Sequence, residues 1–278
     1  MCKKYEQNPT ERNRKKGVIM QKSTQDIFKE MWKVILAYVV LSGIITAVLD
    51  LGGLGLTAAI DPADFAGGFQ FDPSMITGMI PALLTQFVVN LVLDMVSLGI
   101  FLAIYRNKVY DTQVEFADIF YFFNGEAPKT VLALILKNIL SLIGLVLFLV
   151  PGIVFSIAMI PFGVVAGLIQ VHGEMEVWGS IKKTWETSKG YKGLIFGRVL
   201  IAAILSGVIG GIVGLLTILA PEIFVPQPGK AIMNLVVVIV TGMIYYVVWI
   251  DLIREMTERG AFRLLVADPD RIEEAEQL

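Results

Sequence analysis

The chain is poor in the residues that carry most enzyme chemistry. Its one cysteine, Cys2, leaves no intrachain disulfide and no cysteine-based zinc site. Its one histidine, His172, rules out HExxH and any multi-histidine metal centre. No GxSxG elbow, P-loop or dinucleotide fingerprint occurs. The chain is therefore not read as an enzyme, and no catalytic residue, cofactor or metal is expected. Charge is scarce as well, at 17% of residues, and it clusters at the ends and in a few loops. The lysines and arginines form no patch of nucleic-acid size, so nucleic acid is not an expected partner.

What the chain does have is apolar length. Hydrophobic residues make up 55% of it and the mean hydropathy is +0.71, both beyond a soluble domain's usual share. Apolar runs long enough to cross a bilayer cover 34–51, about 75–105, 130–150, 153–171, 194–219 and 231–253. The first starts too far from Met1 for a cleavable signal, and five more follow it. Residues 1–19 are polar and basic, and read as a disordered tail or as lying upstream of a start at Met20. Residues 20–256 form the transmembrane domain, and 257–278 a charged tail.

Two stretches are too polar to span. In 109–129, Thr112 and Glu115 have capping-box spacing, and Phe116, Ile119, Phe120 and Phe123 recur at helical intervals. In 174–192, Val177, Trp178, Ile181 and Trp185 fall on one side, with Lys182, Lys183 and Lys189 elsewhere. Both read as amphipathic helices lying in the headgroup layer, Trp178 and Trp185 anchoring the second. Its lysines suit anionic lipid, the one partner the composition names; any protein partner is unspecified. Lys and Arg number nine before the first span, three before the third, five around the Trp helix and four after the sixth, against only Lys230 on the other side. The positive-inside rule then threads six spans with both termini cytoplasmic. The fold class is all-α: a polytopic membrane protein of six transmembrane helices and two cytoplasmic interfacial helices.

Pro151-Gly152 reads as the turn between spans three and four, and Pro161 as a kink or hinge in span four. Further on, Gly207/Gly211 and Gly210/Gly214 have small-xxx-small spacing, which favours close packing within the chain over dimerisation. Ionisable groups inside hydrocarbon demand an explanation. Asp94 lies about 17 Å up span two from Tyr105, and Lys137 roughly 13 Å up span three from Pro128, at 1.5 Å per residue. The two spans run in opposite directions, so an ion pair is expected. Gln86, Asn90, Asp94 and Ser97 form one stripe, which Lys137, Asn138 and Ser141 continue. Two readings stand: polar glue between helices, or a polar seam for a substrate, an ion or a lipid headgroup.

The block from Pro151 to Gly197 resembles a family of six-span prokaryotic membrane proteins of unknown function. That family is related to the membrane domain of some glycerophosphodiester phosphodiesterases. The resemblance rests on Pro151-Gly152-Ile153, Ser180-Ile181, Thr184-Trp185 and Ser188-Lys189-Gly190, with Arg106, Asp118 and Phe120 upstream. Ser180 stands where alanine is usual, and Thr184 where serine is. The resemblance implies a multi-pass protein of the prokaryotic cell membrane, and no particular reaction.

Overall fold

Long apolar segments must satisfy their own backbone in lipid, and helix is the way one segment does so alone. The computed structural model describes residues 22–51, 73–173, 175–220 and 227–266. Its long helices are α1 (Thr24–Leu51), α2 (Pro73–Tyr110), α3 (Ala127–Leu147), α7 (Lys192–Leu219) and α8 (Gln227–Glu258). Between α3 and α7 come α4 (Leu149–Ala158), α5 (Phe162–His172) and α6 (Val177–Ser188), and a short α9 (Arg263–Val266) follows α8. Among the described residues there is no strand. Among the described residues five helices are long and apolar enough to cross a membrane, and α4 with α5, bent by 46°, counts as a sixth when the pair is taken as one span. The chain is an all-helical, multi-pass membrane protein. The basic tail 1–19 lies outside the described residues.

Several boundaries differ from the sequence expectation. The helix of the first span, α1, begins at Thr24 rather than at residue 34. Helix α2 runs through Pro81 unbroken and stops only at Tyr110. Asp111 ends it with a φ of 52°, a left-handed conformation that caps a helix as glycine usually does. The third–fourth hairpin does not turn at Pro151-Gly152. It turns at Phe148 (φ −147°, ψ 89°), and Pro151 sits in the first turn of α4. Backbone N–H groups there have no helical partner, so proline costs nothing. Gly152 instead lets α4 lie against α3, because a Cβ there would strike the backbone of Gly144 and Leu145.

The described chain divides into two compact units, residues 1–34, 96–199 and 247–278 in one, and 35–95 and 200–246 in the other. The first holds the broken span. The break falls at Met159 and Pro161, where the Phe162 N–H bonds to Met159 rather than to Ala158. The Ala158 carbonyl is taken instead by the Ser188 hydroxyl of α6, at 2.6 Å. Helix α6 therefore does not bury the face the sequence suggested. Ser180, Ile181, Thr184 and Ser188 point inward and pack on α3, α4 and α5. Trp178 is exposed, as are Lys182, Lys183 and Lys189. Trp185 stacks on Phe155, and the Lys192 ammonium lies 3.7 Å from its ring centroid. Short hydroxyl side chains win this face because they allow close approach and can bond back to the helix. Ser180 and Thr184 do so, to Val177 and Ser180.

The loop after α2 also differs. Glu115, not Thr112, caps a short 3-10 turn over Phe116–Phe120, with Asp118 completing the box. Ile119 and Phe122 go inward, while Phe116, Phe120 and Phe123 form an exposed edge-to-face ladder. The segment after α8 is docked rather than a plain tail, since Phe262 is buried against Tyr105.

In the second unit α1 and α8 meet at small residues. A Cβ on Gly43 would stand 2.8 Å from Leu235, and one on Gly242 would stand 2.7 Å from Val39. Tyr38 adds an edge-to-face contact with Tyr246 and donates to the Leu93 carbonyl at 3.1 Å. The four glycines of α7 do not pack this way, contrary to expectation. Among the described residues nothing comes within 4 Å of a Cβ built at Gly207, Gly210, Gly211 or Gly214. Only 6% of the most apolar stretch of that helix is buried among the described residues.

Ser188→Ala should leave the Ala158 carbonyl without its partner and cost about 1–2 kcal/mol. Lys189→Ala, on the exposed side, should stay within about 0.5 kcal/mol. Thermal unfolding in detergent measures both, and equal midpoints would show the cap to be idle.

Candidate functional site

The densest polar cluster lies where α1 begins, α2 and α8 end and α7 begins, all within the first unit. Asp251 and Glu255 are one helical turn apart on α8 and so share a face. Arg198 reaches them from α7, its Nη2 standing 2.5 Å from Asp251 and 2.8 Å from Glu255. Arg254 Nη2 donates to the other Asp251 oxygen at 2.9 Å, and the Thr24 hydroxyl to that same oxygen at 2.8 Å. Arg259 closes the row on Glu255 at 2.5 Å. Three guanidinium groups thus surround two carboxylates. The Nε atoms of Arg198 and Arg254 are buried with no acceptor among the described residues.

A second knot adjoins it. Lys108, in the last turn of α2, has a fully buried side chain whose ammonium lies 2.8 Å from Glu258 and 2.9 Å from the Lys22 carbonyl. Lys22 in turn pairs with Glu30 at 2.9 Å and with Asp111. Burial alone lowers the Lys22 pKa, but the bonds to Asp111 and Glu30 outweigh it and hold the group above the ordinary lysine value. Asn107 joins the same knot, donating to Glu30 at 2.5 Å and to the Thr112 carbonyl at 2.9 Å. At the ends of α3 and α5, Gln170 donates to Thr130 at 3.0 Å and to the Met175 sulfur at 3.2 Å. Arg106 stands 3.8 Å from Asp118. In the loop, burial raises the Tyr121 phenol above its ordinary pKa, and Arg106 opposes this only partly.

The polar stripe named from the sequence is placed as follows. Gln86 and Asn90 sit on α2 in the second unit, Gln86 Nε2 donating to Asn90 Oδ1 at 2.9 Å, with Asn90 exposed. Asp94 is half-buried on the same helix. Ser97, Lys137, Asn138 and Ser141, all half-buried, belong to the first unit. The equal-depth argument loses part of its basis, because α2 ends at Tyr110 and α3 starts at Ala127. Along the helices as built, Asp94 lies about 24 Å from that end and Lys137 about 15 Å from its own.

Sequence reasoning missed Arg198, which was counted with the positive charges of the Trp helix. A signal was present: an arginine six residues inside the apolar helix KGLIFGRVLIAAIL needs an acid from elsewhere. Arg254, one turn along α8, is the partner of Asp251 that sequence spacing alone offers. That contact exists, but it is one of several around that carboxylate. Comparison of the chain with protein-family models, curated proteins and solved structures found no match.

Two outcomes are expected. Arg198→Gln strands Asp251 and Glu255 and should cost about 2–3 kcal/mol, less than a wholly buried pair, with Asp251→Asn in the same chain recovering part of it. Thermal unfolding of the single and double variants checks this. For Lys22, the raised pKa means its contribution is full below the ordinary lysine value and fades as pH rises through the folded one. Lys22→Met should therefore flatten the alkaline limb of the stability–pH profile. A limb as steep as the wild type's would remove Lys22 from the account.

Proposed function

We propose that the protein handles a membrane-borne or membrane-crossing cargo, as a transporter or lipid-handling protein, through the polar stripe Gln86, Asn90, Asp94, Ser97, Lys137, Asn138 and Ser141. It does so in the prokaryotic cytoplasmic membrane, as the six-span family resemblance implies, with both termini cytoplasmic by the positive-inside count and anionic lipid facing the lysines of the Trp helix. Asp94 and Lys137 supply the charge of the stripe. The observation that carries this reading is the Gln86–Asn90 pair. Two amides on an apolar helix bond along the helix at 2.9 Å, and Asn90 stays exposed. Helix glue would place those amides against a neighbouring helix instead.

The competing reading is a non-transporting scaffold or interaction partner. It draws on the same bond, because a pair closed within one helix needs no cargo.

Cysteine labelling separates the two in a Cys2→Ser background. In sealed vesicles, Asn90→Cys should react with a membrane-impermeant thiol reagent at least tenfold faster than Leu84→Cys, whose native side chain is 59% exposed on the same helix. Equal slow rates would place Asn90 against lipid and leave the scaffold.

A further inference from the structure

We infer that the hairpin of α3 and α4 is a re-entrant wedge: it takes up the acyl chains of one leaflet only and turns back at Phe148 near the middle of the bilayer. Taken as one span, α4 with ten residues and α5 with eleven would put the break between them at the midplane. Yet α6 lies on that break. Ser188 caps Ala158, and Trp185 stacks on Phe155 one turn before it. Helix α6 also exposes Lys182, Lys183, Glu186 and Lys189, and Lys192 sits over the Trp185 ring. Charged side chains opening onto the midplane of a bilayer are costly, and lysine stems are too short to carry their charge from there to water. A tryptophan with lysines around it belongs at the headgroup boundary instead. The break therefore stands at that boundary.

The opposite side of the break agrees. Helix α5 starts against α2, where a Cβ on Gly163 would meet the Leu98 Cα at 3.0 Å. Beside Leu98, a Cβ on Gly99 would strike the Ile119 carbonyl, so the 3-10 turn rests on α2 there. That turn lies level with the start of α5 and brings the exposed Glu115 and the Asp118–Arg106 pair with it. Two polar segments from separate parts of the chain thus mark one level.

From that level the hairpin has little reach. Helix α4 is about 15 Å long, half of a hydrocarbon core of roughly 30 Å. Helix α3 matches it, because Gly144 and Gly152 meet at equal distances from Phe148, a Cβ on the first standing 2.9 Å from the Cα of the second. The same symmetry sets Lys137 level with Met159, at the boundary. Beyond it, from Leu142 to Phe155, no side chain is polar. Val146 is 75% exposed, Phe148 65% and Val150 69%, so the tip offers nothing to headgroups on the far side. Its backbone is closed at the turn: Phe148 donates to Gly144 and accepts from Gly152, each at 2.9 Å, and Pro151 has no N–H. Helices α1, α2, α7 and α8 are left to cross, and an even number keeps both termini on one side. The inference does not use the α2 stripe, so failure of the Asn90 labelling leaves it standing.

The test is a depth measurement by electron paramagnetic resonance on the full chain in phospholipid vesicles. Spin labels go on Leu142→Cys, Phe148→Cys and Ile153→Cys, made singly in a Cys2→Ser background. All three native side chains are exposed, so the labels displace no packing, and unfolding midpoints confirm the fold. Val146→Cys and Val150→Cys stand in where a label unfolds the chain. Collisions with oxygen rise with depth, and those with a water-soluble nickel chelate fall. The wedge makes Phe148 the deepest position, with a nickel collision rate at least twofold lower than at Leu142 or Ile153. A hairpin that crosses gives the reverse order, Phe148 being the most accessible to nickel, and would overturn the inference. Equal rates at all three would overturn it as well, by laying the hairpin flat. A label on Lys183→Cys should collide freely with nickel; one shielded as deeply as Phe148 would place α6 at the midplane and sink the wedge.

Discussion

Charge placed inside an apolar helix has to be answered by charge on another helix, and that constraint organises the better-connected half of this protein. Arg198 cannot sit in lipid alone, and Asp251 and Glu255 cannot either. Their meeting ties the start of α7 to the end of α8, and Thr24 brings in the start of α1. Lys108 repeats the logic one helix over. Its fully buried ammonium is held by Glu258 and by the Lys22 carbonyl, so α2, α8 and the residues before α1 close on one another. Apolar packing in lipid offers little directional preference. These ionic contacts do, because a displaced partner leaves a desolvated charge.

Backbone obeys the same rule by a different route. The α4–α5 pair is broken near Pro161, and the break frees the Ala158 carbonyl from helical bonding. In hydrocarbon such a group has no water to turn to. Ser188 supplies the missing donor, which makes α6 a splint across the break as well as a surface helix. Trp185, held between Phe155 and Lys192, fixes the orientation in which that hydroxyl points inward. A helix with lysines and tryptophans on its outer side thereby does structural work through its smallest side chains.

The two units differ in character. One is bound by ion pairs and capped carbonyls at the helix ends; the other by close approach at Gly43 and Gly242 and by the Tyr38 contacts. The second also carries Asn90 and the barely covered stretch of α7. One unit thus carries an ion-paired polar end, and the other a polar side chain, Asn90, left outward.

Local rules carried the sequence a long way. Run length and hydropathy determined the class, and Pro161 located the break, because each depends on residues adjacent in the chain. The same rules misplaced the hairpin turn, the capping box and the inward face of α6. At Phe148, at Glu115 and at Ser180–Thr184–Ser188, the outcome turned on what lay opposite. Hydropathy cannot tell a serine that faces water from one that caps a carbonyl thirty residues away. Nor could it say that Arg198 would find Asp251, or that the α7 glycines would find no neighbour among the described residues, since both depend on which helices meet. The sequence by itself determined what must be buried in lipid; only the tertiary structure decided which polar group answers which, because those contacts join residues far apart in the chain.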